Sequence, residues 1–219
     1  MKQNVAITGA SGMIGKTILQ HCLDSERVSG VVSLVRKPSG LVHPKLKEVV
    51  VKDFSNCHEV ADQLAGIDIA YFCLGAYTGA LPDDQFKTVT VDYAVGFGKV
   101  LHQQSPEARF CLLSGAGADT TEQSRVSFAR YKGMAENQLT AIFRDNFYAF
   151  RPGYIYPVER RKEPNISYAV FRFLYPVVNV FAKNFSVKST ELGKVIFSVG
   201  LHGSERKVFE NVDIRNFKA

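Results

Sequence analysis

The chain has few cysteines, and their spacing excludes the common zinc and dithiol motifs. Four cysteines occur in 219 residues, and no two of them form a C-x-x-C pair. Cys73 and Cys111 lie within apolar, strand-like runs, which favours buried thiols in a reducing compartment over disulfides or metal ligands. We therefore expect no metal site and a cytoplasmic protein.

The sequence also lacks a segment apolar enough to cross a membrane. The longest apolar region, residues 166–185, is interrupted by Arg172, Pro176, Asn179 and Lys183. A strand-like run begins almost at the N-terminus, so we expect no signal peptide. The region 166–185 is rich in aromatic residues, and a lid over an apolar substrate pocket explains it more simply than an interfacial helix on a membrane.

Basic residues are in excess, but they are scattered. The formal net charge is +6 and the pI is about 9.1. The tight cluster Arg160-Arg161-Lys162 is not accompanied by a nucleic-acid recognition motif, so we predict no nucleic-acid partner. A basic balance also suits an enzyme that binds a polyphosphate cofactor.

The chain alternates short apolar runs with helical patterns, which is typical of a parallel sheet covered on both faces. We predict an α/β fold: one domain over residues 1–219, a doubly wound parallel Rossmann sheet with a small C-terminal substrate-side lobe. Residues 1–153 form the dinucleotide-binding core, and residues 154–219 form mostly the lobe and the last strand. Predicted strands span residues 5–7, 30–35, 48–51, 68–74, 109–113, 147–150 and 207–212, and predicted helices span 13–23, 57–64, 86–103, 127–143 and 190–201.

The turn after the first strand carries the strongest motif. Residues 4–15 read Asn-Val-Ala-Ile-Thr-Gly-Ala-Ser-Gly-Met-Ile-Gly, with three glycines at three-residue intervals between a strand and a helix. A Cβ at the first two glycines would obstruct a tight turn or a pyrophosphate, and the helix N-terminus would face the anion. The predicted nucleotide-binding residues here are Gly9, Ala10, Ser11, Gly12, Met13 and Ile14.

Further candidates follow the next strands, where such sheets bind ligands. The second strand ends in Arg36 and Lys37 rather than in an acidic residue, which favours a 2′-phosphate and hence NADP(H) over NAD(H); a solvated basic turn is the alternative. Asp53 can accept from an adenine amino group with Phe54 beside the ring, or Asp53 can cap its loop. Leu74-Gly75-Ala76 gives a small-residue turn for a ribose.

Two candidate catalytic residues follow the fifth strand. Ser114 lies at the tip of this strand, where its hydroxyl can hydrogen-bond a substrate carbonyl. Lys132 follows in the next helix. A helical lysine is usually solvated, but one that faces a nicotinamide ribose would bind its hydroxyls and lower the pKa of a neighbouring tyrosine.

These motifs together resemble the atypical short-chain dehydrogenase/reductases over nearly the whole chain. The supporting segments are residues 9–15, 34–37, 51–54, 72–75, 113–114, 117–119, 132–133 and 150–153. The resemblance implies a catalytic set of a serine and a Tyr-x-x-x-Lys pair. With Lys132 as the family lysine, the tyrosine position holds Phe128, which has no proton to give. Tyr131 lies about 60° away around the helix, where it either reaches the pocket or packs on the adjoining helix.

The resemblance also assigns a cofactor wall to Pro152, Gly153, Tyr154 and Ile155, although a chain turn leaving the sheet fits these residues equally well. Two functions follow. The first is an NADP-dependent reductase of a small carbonyl or conjugated substrate, with Ser114, Tyr131 and Lys132 as catalytic residues. The second is a catalytically weak NADPH-sensing or scaffold protein that regulates a protein partner. We expect a monomer or a homodimer.

Overall fold

Parallel strands form the centre of the molecule. The computed structural model describes residues 1–76, 79–159 and 185–218. A seven-stranded sheet, parallel throughout, has the order β3-β2-β1-β4-β5-β6-β9, and β7 and β8 form a separate parallel pair. The strands are β1 (Gln3–Thr8), β2 (Val28–Val35), β3 (Leu46–Val50), β4 (Ile69–Phe72), β5 (Arg109–Leu113), β6 (Phe147–Arg151), β7 (Tyr154–Tyr156), β8 (Ser186–Lys188) and β9 (Val208–Glu210).

Helices cover both faces of this sheet. The α-helices are α1 (Met13–Asp24), α2 (Asp83–Lys87), α3 (Tyr93–Gln104), α4 (Ser127–Phe143), α5 (Ser189–His202) and α6 (Asn211–Arg215). A π-helical turn, Thr88–Asp92, joins α2 to α3, and Cys57–Leu64 is a 3-10 helix. In the described ranges, no helix combines the length and the apolar character that crossing a bilayer requires.

Successive residues of the buried strands point to opposite faces and so build two cores. Phe72 packs with Phe97 and Phe110 under α3 and α4. Its neighbour Tyr71 lies in the other core, under α1 and α5, where its hydroxyl donates to the Phe197 carbonyl oxygen at 2.9 Å. The doubly wound Rossmann fold predicted from the sequence is therefore confirmed.

Most predicted elements are present, and the differences have local causes. The strand 109–113 and the helix 127–143 have the predicted bounds. The predicted helix 86–103 begins earlier, at Asp83. The predicted strand 207–212 was too long, because Glu210 caps α6 and its backbone N–H donates to Asp213 Oδ2 at 3.0 Å. A capped helix start ends the strand.

The C-terminal region is described only in part. The Arg160-Arg161-Lys162 cluster and the predicted lid, apart from Phe185, lie outside the described residues. The short β7–β8 pair was not predicted, because three-residue strands show no periodicity. Between residues 185 and 218, α5 and β9 pack on the central sheet.

A close backbone contact fixes helix α4, which carries the candidate lysine. A Cβ built on Gly133 would lie 1.7 Å from the Asp119 carbonyl oxygen. The Asp119 backbone N–H also donates to the Ala129 carbonyl oxygen at 2.9 Å. The loop after β5 and helix α4 are thus locked together one residue from Lys132.

We expect Gly133→Ala to destabilise the fold by about 1–3 kcal/mol or more, because two backbone segments would have to separate. Urea unfolding measures the change. Gly30→Ala is the matched control, since its Cβ would meet its nearest atom at 3.6 Å and its unfolding midpoint should hardly move. Equal midpoints for Gly133→Ala and the wild type would contradict the contact.

Candidate active site

The turn after β1 is built by backbone contacts that only glycines permit. Gly9 has φ +70°, and a Cβ on it would lie 2.7 Å from the Cys73 carbonyl carbon and oxygen at the end of β4. A Cβ on Gly15 would lie 2.1 Å from the Gly9 carbonyl oxygen. The Gly12 N–H donates to that same oxygen at 2.9 Å. The three glycines therefore bring α1 against the ends of two strands.

The N-terminus of α1 is suited to an anion. Gly12 is its N-cap and offers no capping side chain, and the first turn contains no acidic residue. The first N–H groups of a helix have no intrahelical acceptor and carry the positive end of the helix dipole. Gly12, Met13 and Ile14 face a cavity, and Ser11 is exposed beside them. A diphosphate there would receive backbone hydrogen bonds.

This cavity has a volume of about 350 Å³ and lies beyond the C-terminal ends of β1, β4, β5 and β6. It brings together most of the predicted site residues. Those that line it are Gly12, Met13, Ile14, Leu74, Gly75, Ala76, Ser114, Lys132, Pro152, Gly153, Tyr154 and Ile155, together with Cys73, Leu113, Gly115 and Phe128. Gly9 and Ala10 form the turn beside this lining.

Lys132 is the one charged side chain in the cavity lining formed by the described residues. Its Nζ donates to the Leu113 carbonyl oxygen at 3.2 Å. Burial lowers the pKa of this ammonium to about 8, because desolvation disfavours the charged form, and the nearby Glu136 carboxylate opposes this shift. Lys132 can therefore exchange a proton near neutral pH.

Ser114 belongs to a buried ionic network that the sequence did not reveal. Its Oγ donates to Glu136 Oε1 at 2.5 Å, and Glu136 is only 2% exposed. Arg151 Nη2 lies 2.5 Å from Glu136 Oε2, and Arg151 Nη1 lies 2.9 Å from Glu210 Oε1. The sequence contains only a weak signal for this network, namely that Glu136 follows Lys132 by one helical turn. The partners of Glu136 lie on other elements of the fold.

The structure corrects the expectation that Tyr131 is the proton donor. Its hydroxyl donates to Asp83 Oδ2 at 2.6 Å, and its ring packs against Phe86. Phe128 instead faces the cavity, across from Gly115, where a Cβ would lie 2.5 Å from Phe128 Cζ. The sequence left two alternatives for Tyr131, reaching the pocket or packing on the adjoining helix. The structure shows the second.

The residues expected to contact the adenosine half have different surroundings. Arg36 and Lys37 are exposed after β2, and neither has an ion pair within the described part of the chain. Asp53 Oδ1 accepts from the backbone N–H and the hydroxyl of Ser55, at 2.9 and 2.7 Å, which lowers the pKa of Asp53. Phe54 is 1% exposed and packs in the core beside Tyr93, so its ring is not available to an adenine and that prediction was wrong.

Comparison with known proteins defines the class. A family model described as NAD(P)H-binding matches residues 9–149, so the chain belongs to that family. Protein HTATIP2 of Rattus norvegicus is 30% identical over 153 residues, which are 69% of this chain and 62% of the rat protein. The chain thus spans less than two thirds of that relative.

Two further matches extend over more of the chain. The mitochondrial protein fmp52 of Emericella nidulans is 26% identical over 209 residues, covering 90% of this chain and 87% of that protein. The crystal structure of the Bordetella bronchiseptica enzyme WbmH in complex with NAD+ has a TM-score of 0.70 at 17% identity, covering 96% of this chain and 75% of that one. The predicted membership of an NAD(P)-binding family is therefore confirmed, and the structural likeness agrees with the predicted fold.

We expect Lys132 to titrate near pH 8 in NMR spectra of lysine-labelled protein, with its signal assigned by its loss in Lys132→Met. Glu136→Gln should lower this pKa further, because the Glu136 charge raises it. Since the folded pKa lies below the ordinary value of 10.5, the unfolded chain binds more protons between these values, and the contribution of Lys132 to stability rises with pH there. A Lys132 midpoint above 10 would contradict its burial.

Proposed function

We propose that the protein is an NADP(H)-dependent oxidoreductase that reduces a small carbonyl compound or a double bond conjugated to one. The observation that carries this proposal is a single cavity that joins the N-terminus of α1 to Ser114 and Lys132. Membership of the NAD(P)H-binding family supports the cofactor class. The substrate type and the preference for NADP(H) are our inferences from the residues around the cavity.

In this proposal the cofactor would lie along the strand ends, and each of its parts would contact the residues that follow a different strand. The N–H groups of Met13 and Ile14 would hold the diphosphate at the turn that Gly9 keeps free of a Cβ. Leu74, Gly75 and Ala76 would pass along a ribose, and the wall of residues 152–155 would flank the nicotinamide. When bound, the cofactor supplies a hydride.

Two adjacent basic residues at the end of β2 support NADP(H) over NAD(H). Arg36 and Lys37 are exposed and pair with no acidic group in the described ranges, so both are available to a 2′-phosphate. Asp53 uses Oδ1 to cap its loop, which leaves Oδ2 for an adenine amino group.

Lys132 supplies the proton in this proposal. Carbonyl reduction adds a hydride to carbon and a proton to oxygen. Phe128 has no proton to give, and Tyr131 donates to Asp83 outside the cavity. Lys132 Nζ would transfer a proton to the substrate oxygen, become neutral, and recover a proton from water.

Replacing the guanidinium tests the cofactor preference. We expect Arg36→Ala to reduce the ratio of NADPH to NADH affinity about 10- to 100-fold, the effect of losing a charge-assisted hydrogen bond. Fluorescence titration with each nucleotide measures the two affinities. Lys99→Ala removes an exposed lysine of α3 and should leave the ratio unchanged. An unaltered ratio in Arg36→Ala would assign residues 36–37 to a solvated turn.

Activity over a panel of small aldehydes, ketones and enones tests the proton donor. We expect Lys132→Met to lower kcat by about 10²–10⁴, whereas Tyr131→Phe should retain most of it, because its hydroxyl lies on Asp83. The wild-type rate should fall as pH rises through about 8, since Lys132 must be protonated. Loss of activity in Tyr131→Phe with Lys132→Met unaffected would reverse the assignment.

Phe128 in the cavity wall favours a second function, in which NADPH occupancy controls a protein partner without efficient turnover. The same panel separates the two functions. Tight NADPH binding with no turnover of any carbonyl, and partner affinity that changes with NADPH, would favour the sensor. Turnover that depends on Lys132 would favour the reductase.

We propose a cytoplasmic location from the free thiols, three of which are buried. The name of the Emericella nidulans relative, in contrast, assigns that protein to mitochondria. We also propose that residues 1–219 act as one domain, as a monomer or a homodimer.

A further inference from the structure

The hydroxyl hydrogen of Ser114 is already used within the protein. Ser114 Oγ lies 2.5 Å from Glu136 Oε1, a separation typical of a hydroxyl that donates to a carboxylate. A hydroxyl has one hydrogen and two lone pairs. Because this hydrogen is donated to Glu136, Ser114 can offer a ligand in the cavity only the lone pairs of its oxygen, as a hydrogen-bond acceptor.

The surroundings of Glu136 hold it as an acceptor. Arg151 donates to both of its oxygens, through Nη2 at 2.5 Å and through Nε at 3.1 and 3.2 Å. Arg151 is anchored in turn by Glu210 across the β6–β9 pair. A guanidinium can only donate, so both oxygens of Glu136 act as acceptors toward it.

We propose that Glu136 is a positioning residue that sets Ser114 as a hydrogen-bond acceptor, so that the cavity selects a ligand that presents an O–H or N–H group to Ser114. This inference rests on the proposed function and refines its substrate class. The alcohol form of a carbonyl/alcohol pair has such a hydrogen and the carbonyl form lacks it. The alcohol should therefore bind more tightly, and carbonyl activation falls to Lys132 rather than to Ser114.

Glu136→Gln should change Ser114 from a hydrogen-bond acceptor into a donor toward the ligand. The Arg151 fork needs an oxygen acceptor, so the glutamine carbonyl would turn toward Arg151 and its NH2 group toward Ser114. That NH2 group would donate to Ser114 Oγ and free the serine hydrogen to point into the cavity. Ser114 would then favour a ligand that accepts.

The test compares the binding of cyclohexanol and cyclohexanone to the protein without nicotinamide cofactor, so that no turnover interferes. Ligand-observed NMR titration gives both dissociation constants. In the wild type we expect cyclohexanol to bind about fivefold more tightly, the effect of one net hydrogen bond. Ser114→Ala should make the two affinities equal, and Glu136→Gln should favour cyclohexanone. Glu107→Gln removes an exposed carboxylate far from the cavity and should keep the wild-type ratio.

Several results would overturn the proposal. These are equal affinities in the wild type, the same preference in Ser114→Ala, or no saturable binding of cyclohexanol. If Glu136→Gln does not fold, the wild type and Ser114→Ala still decide whether Ser114 accepts from the ligand, and without that acceptor the role of Glu136 falls as well. A merely structural Glu136 would weaken both probes together without changing their ratio. NADPH titration of the same samples reports on the proposed function separately, because a protein that binds NADPH and shows no alcohol preference loses only the role of Glu136.

Discussion

The contact of the Gly9 turn with the start of α1 and the end of β4 determines where every other part of the site lies. Gly15 and Gly9 approach so closely that a Cβ on Gly15 would fall 2.1 Å from the Gly9 carbonyl oxygen. The free N–H groups of the helix are thereby directed to the edge where β4, β5 and β6 also end. Because a parallel sheet brings the carboxyl ends of its strands together, this one packing constraint aligns an anion site with Ser114 and Lys132.

The second organising feature is a set of buried and partly buried charges on and beside α4. Lys132 and Glu136 lie one turn apart, and Arg151 and Glu210 extend the network to the sheet edge. Burying an ion pair has a desolvation cost that can exceed its attraction, so such a pair is poor support for stability alone. The effects of Glu136 on the cavity explain the buried ion pair better than a contribution to stability does. The Glu136 carboxylate raises the pKa of Lys132 and so opposes the effect of desolvation. It also accepts the hydrogen bond that the Ser114 hydroxyl donates.

The glycine spacing and the residues after each strand predicted most of the cavity from sequence, because strand ends and helix starts are set by local chemistry. The direction of a side chain around α4 was beyond this reasoning. The choice between Phe128 and Tyr131 depends on tertiary packing, since the partner of the Tyr131 hydroxyl, Asp83, lies 48 positions earlier in the chain. Glu136 resembled any helical glutamate, since its partner Arg151 lies on another element. Phe54 was misassigned because a strand end can also place an aromatic residue in the core.

In the proposed reaction, the exchange of a phenol for an ammonium as proton source changes the electrostatics of the step. A tyrosine that gives up its proton leaves a phenolate, and a nearby lysine stabilises that charge. A buried ammonium that gives up its proton leaves a neutral amine, so desolvation favours the transfer instead of opposing it. Desolvation alone would lower the pKa of Lys132 further. The Glu136 carboxylate counters this, and the balance of the two effects places the pKa at about 8, where the residue is charged at rest and readily loses a proton.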